Sequence, residues 1–213
     1  MNRITFDVGT FEVNCSIVFE NGKALVVDPG ADAERIQSEL KKRELVLSAI
    51  LLTHAHFDHI CAVQELQRAF PGLPVFISAA DAKIISHPFN QFPPDYPLVE
   101  GMEGIKDTKD LNEFLKSIGW ETSVEVIDTP GHTPGGVCYL FPAPGAQAPS
   151  TLFSGDTLFC CSVGRTDFPG GDMATLQASL EKLKVLPGDT VVVPGHGPET
   201  TIARELASNP FLQ

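Results

Sequence analysis

Short apolar runs bounded by turn residues recur along this chain, and segments of helical spacing lie between them. The runs are Cys15 to Phe19, Ala24 to Val27, Val46 to Leu52, Val75 to Ile77, Val124 to Ile127, Val137 to Phe141, Thr151 to Phe153 and Thr190 to Val193. Their length and β-branched content predict strands. Ala33 to Glu44, His59 to Ala69, Ala79 to Ser86, Leu111 to Ile118, Met173 to Leu186 and Thr201 to Ser208 carry helix formers and predict helices. Such alternation restricts the chain to an α/β architecture, with sheets covered by helices. At 213 residues and 43% apolar content it has material for one sizeable core, so a single domain over 1–213 is expected. The Pro-rich stretch Phe89 to Val99 is expected as a shaped loop, either a lid or a surface excursion, and Ala143 to Ser150 as a hairpin tip.

The net charge of -12 argues against phosphate backbones and anionic membranes as partners, because both demand a surplus of Lys and Arg. No apolar run approaches the roughly 18 residues of a membrane helix, and the N-terminus lacks the apolar stretch of a secretory signal. The five Cys are odd in number and form no CxxC pair, which fits reduced thiols in a cytoplasmic protein.

Against that background one hexapeptide stands out, His54-Ala55-His56-Phe57-Asp58-His59, in a chain with only six His. It follows the predicted strand Val46 to Leu52, and three further strands end in turns with similar side chains. These turns are Thr129-Pro130-Gly131-His132, Ser154-Gly155-Asp156 and Pro194-Gly195-His196. In sheets covered by helices, ligands gather beyond the carboxyl ends of strands, so the four turns are expected to converge. Each alone is ordinary turn chemistry. Together they offer His54, His56, Asp58, His59, His132, Asp156 and His196, too many donors for one tetrahedral ion and suited to two ions sharing a carboxylate. Imidazole and carboxylate suit zinc best, with iron or manganese also compatible, and the absence of Cys argues against a structural thiolate site. In extended chain His54 and His56 point the same way, whereas Asp58 and His59 come as the chain turns into a helix and can face a second position. Asp156, on a separate turn, can bridge.

The hexapeptide and the three following turns resemble the metallo-β-lactamase superfamily, whose motif is His-x-His-x-Asp-His. The resemblance implies an αββα sandwich with a two-metal site at its rim. It assigns His54, His56 and His132 to one ion, Asp58, His59 and His196 to the other, and Asp156 to both. Asp28, in Val26-Val27-Asp28-Pro29-Gly30, matches a family turn beneath the metals. Ser154 to Phe159 and Gly164-Arg165-Thr166-Asp167-Phe168 are similar to the glyoxalase II branch, which hydrolyses the thioester of S-2-hydroxyacylglutathione. Arg165 falls where that branch has a cationic glutathione contact, and Asp167 where it often has Tyr. The chain ends at Gln213, before the branch's C-terminal helical region, and so is similar to the short bacterial forms.

The expected reaction is hydrolysis of a glutathione thioester by a metal-activated hydroxide, with Asp58 orienting the nucleophile or moving a proton. The rival within the fold is a mononuclear-iron glutathione persulfide dioxygenase, with His54, His132 and Asp156 as its ligands. The x positions of the first motif weigh against it. A ribonuclease Z-like enzyme is disfavoured by the acidic charge, a β-lactamase by His59 after the motif Asp, and a non-catalytic metal-binding protein by the complete ligand set. Cys160 and Cys161 are expected as buried or loop-packing thiols rather than nucleophiles.

Overall fold

The computed structural model describes residues 1–90, 99, 101–143, 145 and 148–213, and divides the chain into two compact units, Met1–Glu121 and Thr122–Gln213. Most of the Pro-rich stretch, 91–98, and much of the hairpin tip at 144, 146 and 147 lie outside the described residues.

The first unit holds a six-stranded sheet in the order β1-β2-β3-β4-β5-β6: β1 Asn2–Val8, β2 Val13–Glu20, β3 Lys23–Val27, β4 Val46–Leu51, β5 Val75–Ile77 and β6 Ile105–Asp107. The first three strands pair antiparallel, and β3 through β6 run parallel. Parallel neighbours need crossovers, and helices supply them. The first, α1 (Ala33–Lys42), buries Ala33, Ile36 and Leu40, the spacing of one helical face, and ends at Glu44 with a left-handed φ of 54°. The next crossover holds α2 (Phe57–Ile60) and α3 (Val63–Ala69), where the sequence predicts one helix from His59 to Ala69. The interruption has a tertiary cause: the Ala62 N–H donates to the Pro29 carbonyl (3.0 Å) instead of continuing the helical ladder. Ala79 to Ser86 is likewise not a helix; only Asp81–Lys83 forms a 3-10 turn, and Ser78 draws in the Asp81 N–H through its Oγ (3.2 Å). After β6, α4 (Leu111–Ser117) buries Leu111 and Leu115.

The second unit contains β7 (Glu125–Asp128), β8 (Val137–Phe141), β9 (Thr151–Gly155), the hairpin β10 (Leu158–Phe159) and β11 (Ser162–Val163), then β12 (Val191–Pro194) and β13 (Thr200–Thr201). Its five-stranded sheet has the order β13-β12-β9-β8-β7, and β9 and β12 are parallel. The crossover between them is α5 (Met173–Lys184), started by the Asp172 carboxylate accepting the Thr175 N–H (2.7 Å). Its Leu176, Leu180 and Leu183 are fully buried and each contributes about 2 kcal/mol by leaving water. The last helix, α6 (Ile202–Ser208), is capped by Thr201 Oγ1. Each unit thus has its own apolar core, around Ile17, Val26, Ile50 and Leu66 in the first and Leu152, Leu176, Leu180 and Val192 in the second.

Candidate metal centre

In the first unit the loop leaving β4 carries four of the seven expected donors. His54 and His59 are buried, with their ring centroids 4.1 Å apart, and the His54 and His56 rings stand edge to face at 4.8 Å. Asp58 Oδ2 lies 4.0 Å from His59 Nε2.

Hydrogen bonds fix which nitrogen each ring presents. His59 Nδ1 donates to Asp28 Oδ2 (3.0 Å), an oxygen that also accepts the Thr53 hydroxyl (2.6 Å). Because that hydroxyl spends its proton on Asp28, Thr53 Oγ1 accepts from His54 Nδ1 (3.0 Å). Both rings therefore keep their proton on Nδ1 and leave the lone pair on a buried Nε2, the tautomer a metal requires. Asp28 completes its set by accepting the Thr53 N–H at Oδ1 (2.8 Å).

The backbone of the loop is held as firmly. Asp81 accepts the Ala55 N–H (2.9 Å), and Asn90 accepts the Phe57 N–H (3.1 Å) while donating to the Ala55 carbonyl (2.6 Å). Gly30 completes the clamp, since a β-carbon there would overlap the Asp58 carbonyl.

The second unit presents the other three donors. His132 stands on the turn after β7, and its Nδ1 donates to the Arg165 carbonyl (2.6 Å), again leaving the lone pair on a buried Nε2. That turn is pressed onto α5: Gly131, with φ of 134°, has no room for a β-carbon beside the Leu176 backbone, and its carbonyl accepts the Asp172 N–H (2.8 Å). Asp156 follows β9 and His196 follows β12, and the Gly195 N–H donates to the Gly155 carbonyl (2.8 Å), setting the two turns side by side. As a result Asp156 Oδ2 lies 3.4 Å from His132 Nε2 and 3.8 Å from His196 Nε2. A single carboxylate oxygen facing two imidazole nitrogens is suited to two cations at once. Gly164 does here what Gly30 does in the first unit, since a β-carbon at 164 would overlap the Asp156 carbonyl and crowd His132 Nδ1.

Arg165 is placed differently from the ligands. Its guanidinium makes a two-pronged pair with Asp167 (Nε to Oδ1 2.6 Å, Nη2 to Oδ2 2.7 Å) and stacks over the Phe168 ring at 4.0 Å. The guanidinium holds the Asp167 carboxyl down at about 2. All five cysteines are free thiols; Cys15 and Cys138 are buried, whereas Cys160 is half-buried and Cys161 exposed. Burial and then the Asp58 charge push the Cys61 thiol up to about 11, too high for a nucleophile at neutral pH.

Sequence reasoning missed Thr53, Asp81 and Asn90. Thr53 carries a signal, since it immediately precedes His54. Asp81 and Asn90 reach the loop from 26 and 33 residues away along the chain and carry none.

Strand-end loops presenting carboxylates and tautomer-locked imidazoles define a metal-binding α/β protein. The chain belongs to the metallo-β-lactamase superfamily, whose sequence profile matches residues 8–196. It is 35% identical to hydroxyacylglutathione hydrolase GloC of Haemophilus influenzae, an alignment spanning 100% of this chain and 98% of that protein. Among solved structures, the BLEG-1 B3 metallo-β-lactamase superposes with a TM-score of 0.83 at 34% identity, covering 99% of each chain. TTHA1623, solved in a di-iron-bound form, gives 0.78 at 35% identity, covering 98% of this chain and 100% of that one. The fold is thus the one expected, and the protein is a metallo-hydrolase of this superfamily that binds divalent metal. Among the described residues no helix is long and apolar enough to cross a membrane.

Proposed function

We propose that the protein is a cytoplasmic hydrolase of a glutathione thioester such as an S-2-hydroxyacylglutathione, that residues 1–213 make a single domain, and that the hydrolase uses two metal ions. The observation that carries the two-metal reading is Asp156 Oδ2 facing both His132 and His196 within the second unit. With the superfamily's pattern, His54, His56 and His132 hold one ion, Asp58, His59 and His196 the other, and Asp156 both. Zinc is the metal favoured by the donors, and the relative solved with two irons makes iron the chief competitor.

When bound, two such ions supply a hydroxide nucleophile at neutral pH and a Lewis acid for the thioester carbonyl. The chain's own residues do the rest. Asp58, half-buried beside His59, orients the attacking water and takes up its proton. Asp28 and Thr53 hold the His59 and His54 rings so that no reorganisation is needed when charge develops. Arg165, freed from Asp167, meets a carboxylate of the glutathione moiety.

The test is metal analysis and S-lactoylglutathione hydrolysis on one preparation. About two ions per chain and hydrolysis abolished by a chelator are expected. A single iron with oxygen uptake on glutathione persulfide establishes the dioxygenase instead. The likeness to BLEG-1 supplies the second rival, and turnover of a β-lactam with the thioester left intact would establish that one. Arg165→Ala is expected to raise KM for S-lactoylglutathione about fivefold while leaving a neutral thioester nearly unaffected, the size of one exposed charge-assisted contact. Equal effects on both substrates would remove the contact.

A further inference from the structure

The thiols that the proposed hydrolysis leaves unused are gathered at one turn of the second unit. β10 and β11 pair Phe159 with Ser162, so Cys160 and Cys161 form a two-residue turn. Cys161 has φ of 60°. Gly or Asn takes that region readily, whereas Cys pays about 1 kcal/mol to occupy it.

Neighbouring side chains of an extended strand point apart, and these do not. The two Sγ atoms and a carboxylate oxygen of Glu205 all lie within 4.8 Å of one another. Glu205 enters from α6 and is fully buried. It is aimed at the turn: Oε2 accepts the Cys161 N–H (2.8 Å) and the Asn209 amide (2.8 Å), and Oε1 accepts the Thr200 hydroxyl (2.6 Å). A carboxylate has about four acceptor positions, so these three bonds leave one. Three donors no farther than 4.8 Å apart always leave a point within about 2.8 Å of every one of them, near the zinc–sulfur distance of about 2.3 Å.

We propose that Cys160, Cys161 and Glu205 form a separate cation site, open to solvent at its fourth position and selective for a soft, thiophilic ion such as Cd2+. Two thiolates and a carboxylate are a soft, anionic set quite unlike the His and Asp donors of the hydrolytic centre. Arg204 beside the turn offsets part of that charge. Burial, and then the hydrogen bond with Cys161, raise the Cys160 thiol, so binding releases a proton there and tightens as pH rises.

The site does not depend on the hydrolase reading, and sulfur distinguishes it spectroscopically. Zinc-loaded full-length protein, kept reduced by a phosphine, is titrated with Cd2+ and the thiolate-to-cadmium charge-transfer absorption is followed. A band saturating at about one equivalent is expected. The double variant Cys160→Ser/Cys161→Ser is expected to lose the band and keep its zinc and its hydrolysis, since neither residue belongs to that centre. No band in the wild type, or an undiminished band in the double variant, overturns the proposal. Glu205→Gln with both thiols intact is expected to weaken cadmium about tenfold, and unchanged affinity would overturn the three-donor set.

Discussion

Asp156→Ala is expected to lose bound metal and thioester hydrolysis together, with kcat/KM falling by about a thousandfold or more, some 4 kcal/mol of transition-state stabilisation. The expectation rests on one oxygen: Asp156 Oδ2 faces His132 Nε2 at 3.4 Å and His196 Nε2 at 3.8 Å, so its removal strips a ligand from both proposed ions. The side chain is only 12% exposed, so folding of the metal-free variant has to be measured beside its activity. Thermal unfolding separates ligand loss from misfolding. A ligand bound only by the native state stabilises it, so chelation should lower the Tm of the wild type and leave the variant's unmoved. Retention of both metal and activity would sink the bridging assignment.

The second large effect is expected at Asp28, which touches no metal in the proposal. Asp28→Ala leaves the Thr53 N–H, the Thr53 hydroxyl and His59 Nδ1 without their common acceptor in a buried place. It should cost about 3 kcal/mol of stability. Asp28→Asn is the sharper test, since Asn tolerates the left-handed φ of 48° at this position without added strain. Its amide retains the shape but offers one acceptor oxygen where Asp28 uses two. His59 is then driven towards the tautomer with its proton on Nε2, the nitrogen a metal needs free. A loss of about 10- to 100-fold in metal affinity, with a much smaller fall in Tm, is expected in a chelator competition. Wild-type affinity would show that the carboxylate merely fills its turn.

Strands buried on both faces were legible because they read as continuous apolar runs, and β5 and β8 fall on their predicted residues; β7, which leads to His132, has no buried residue and runs Glu125–Asp128 where Val124 to Ile127 was expected. β10, β11 and β13, at two residues each, are too short for any period to show. β1 carries the alternation Ile4, Phe6, Val8 and could have been read from it. The helical expectations failed where tertiary hydrogen bonds outbid the helix, at Ala62 by the Pro29 carbonyl and around Asp81 by the Ala55 N–H. At the site, side chains adjacent to a ligand, such as Thr53, were within reach of sequence reasoning. Asp81 and Asn90 were not, because their partnership with the 54–59 loop exists only in the folded chain. Cys160 and Cys161, expected as buried or loop-packing thiols, lie on the turn between β10 and β11, the first half-buried and the second exposed. His59 was expected to set the chain apart from β-lactamases, and the likeness to BLEG-1 gives that distinction no support.

Gly30 and Gly164 bear no chemistry, yet each lies where a single added carbon would run into the carbonyl of a metal-donor residue, Asp58 in one unit and Asp156 in the other. Backbone meeting backbone has no rotamer through which to yield, so an exchange at either position is transmitted undamped to the donors. This confines how the protein can evolve. A change of side chain at Arg165 or Asp167, both exposed, leaves that backbone contact alone, whereas any side chain at 30 or 164 must displace it.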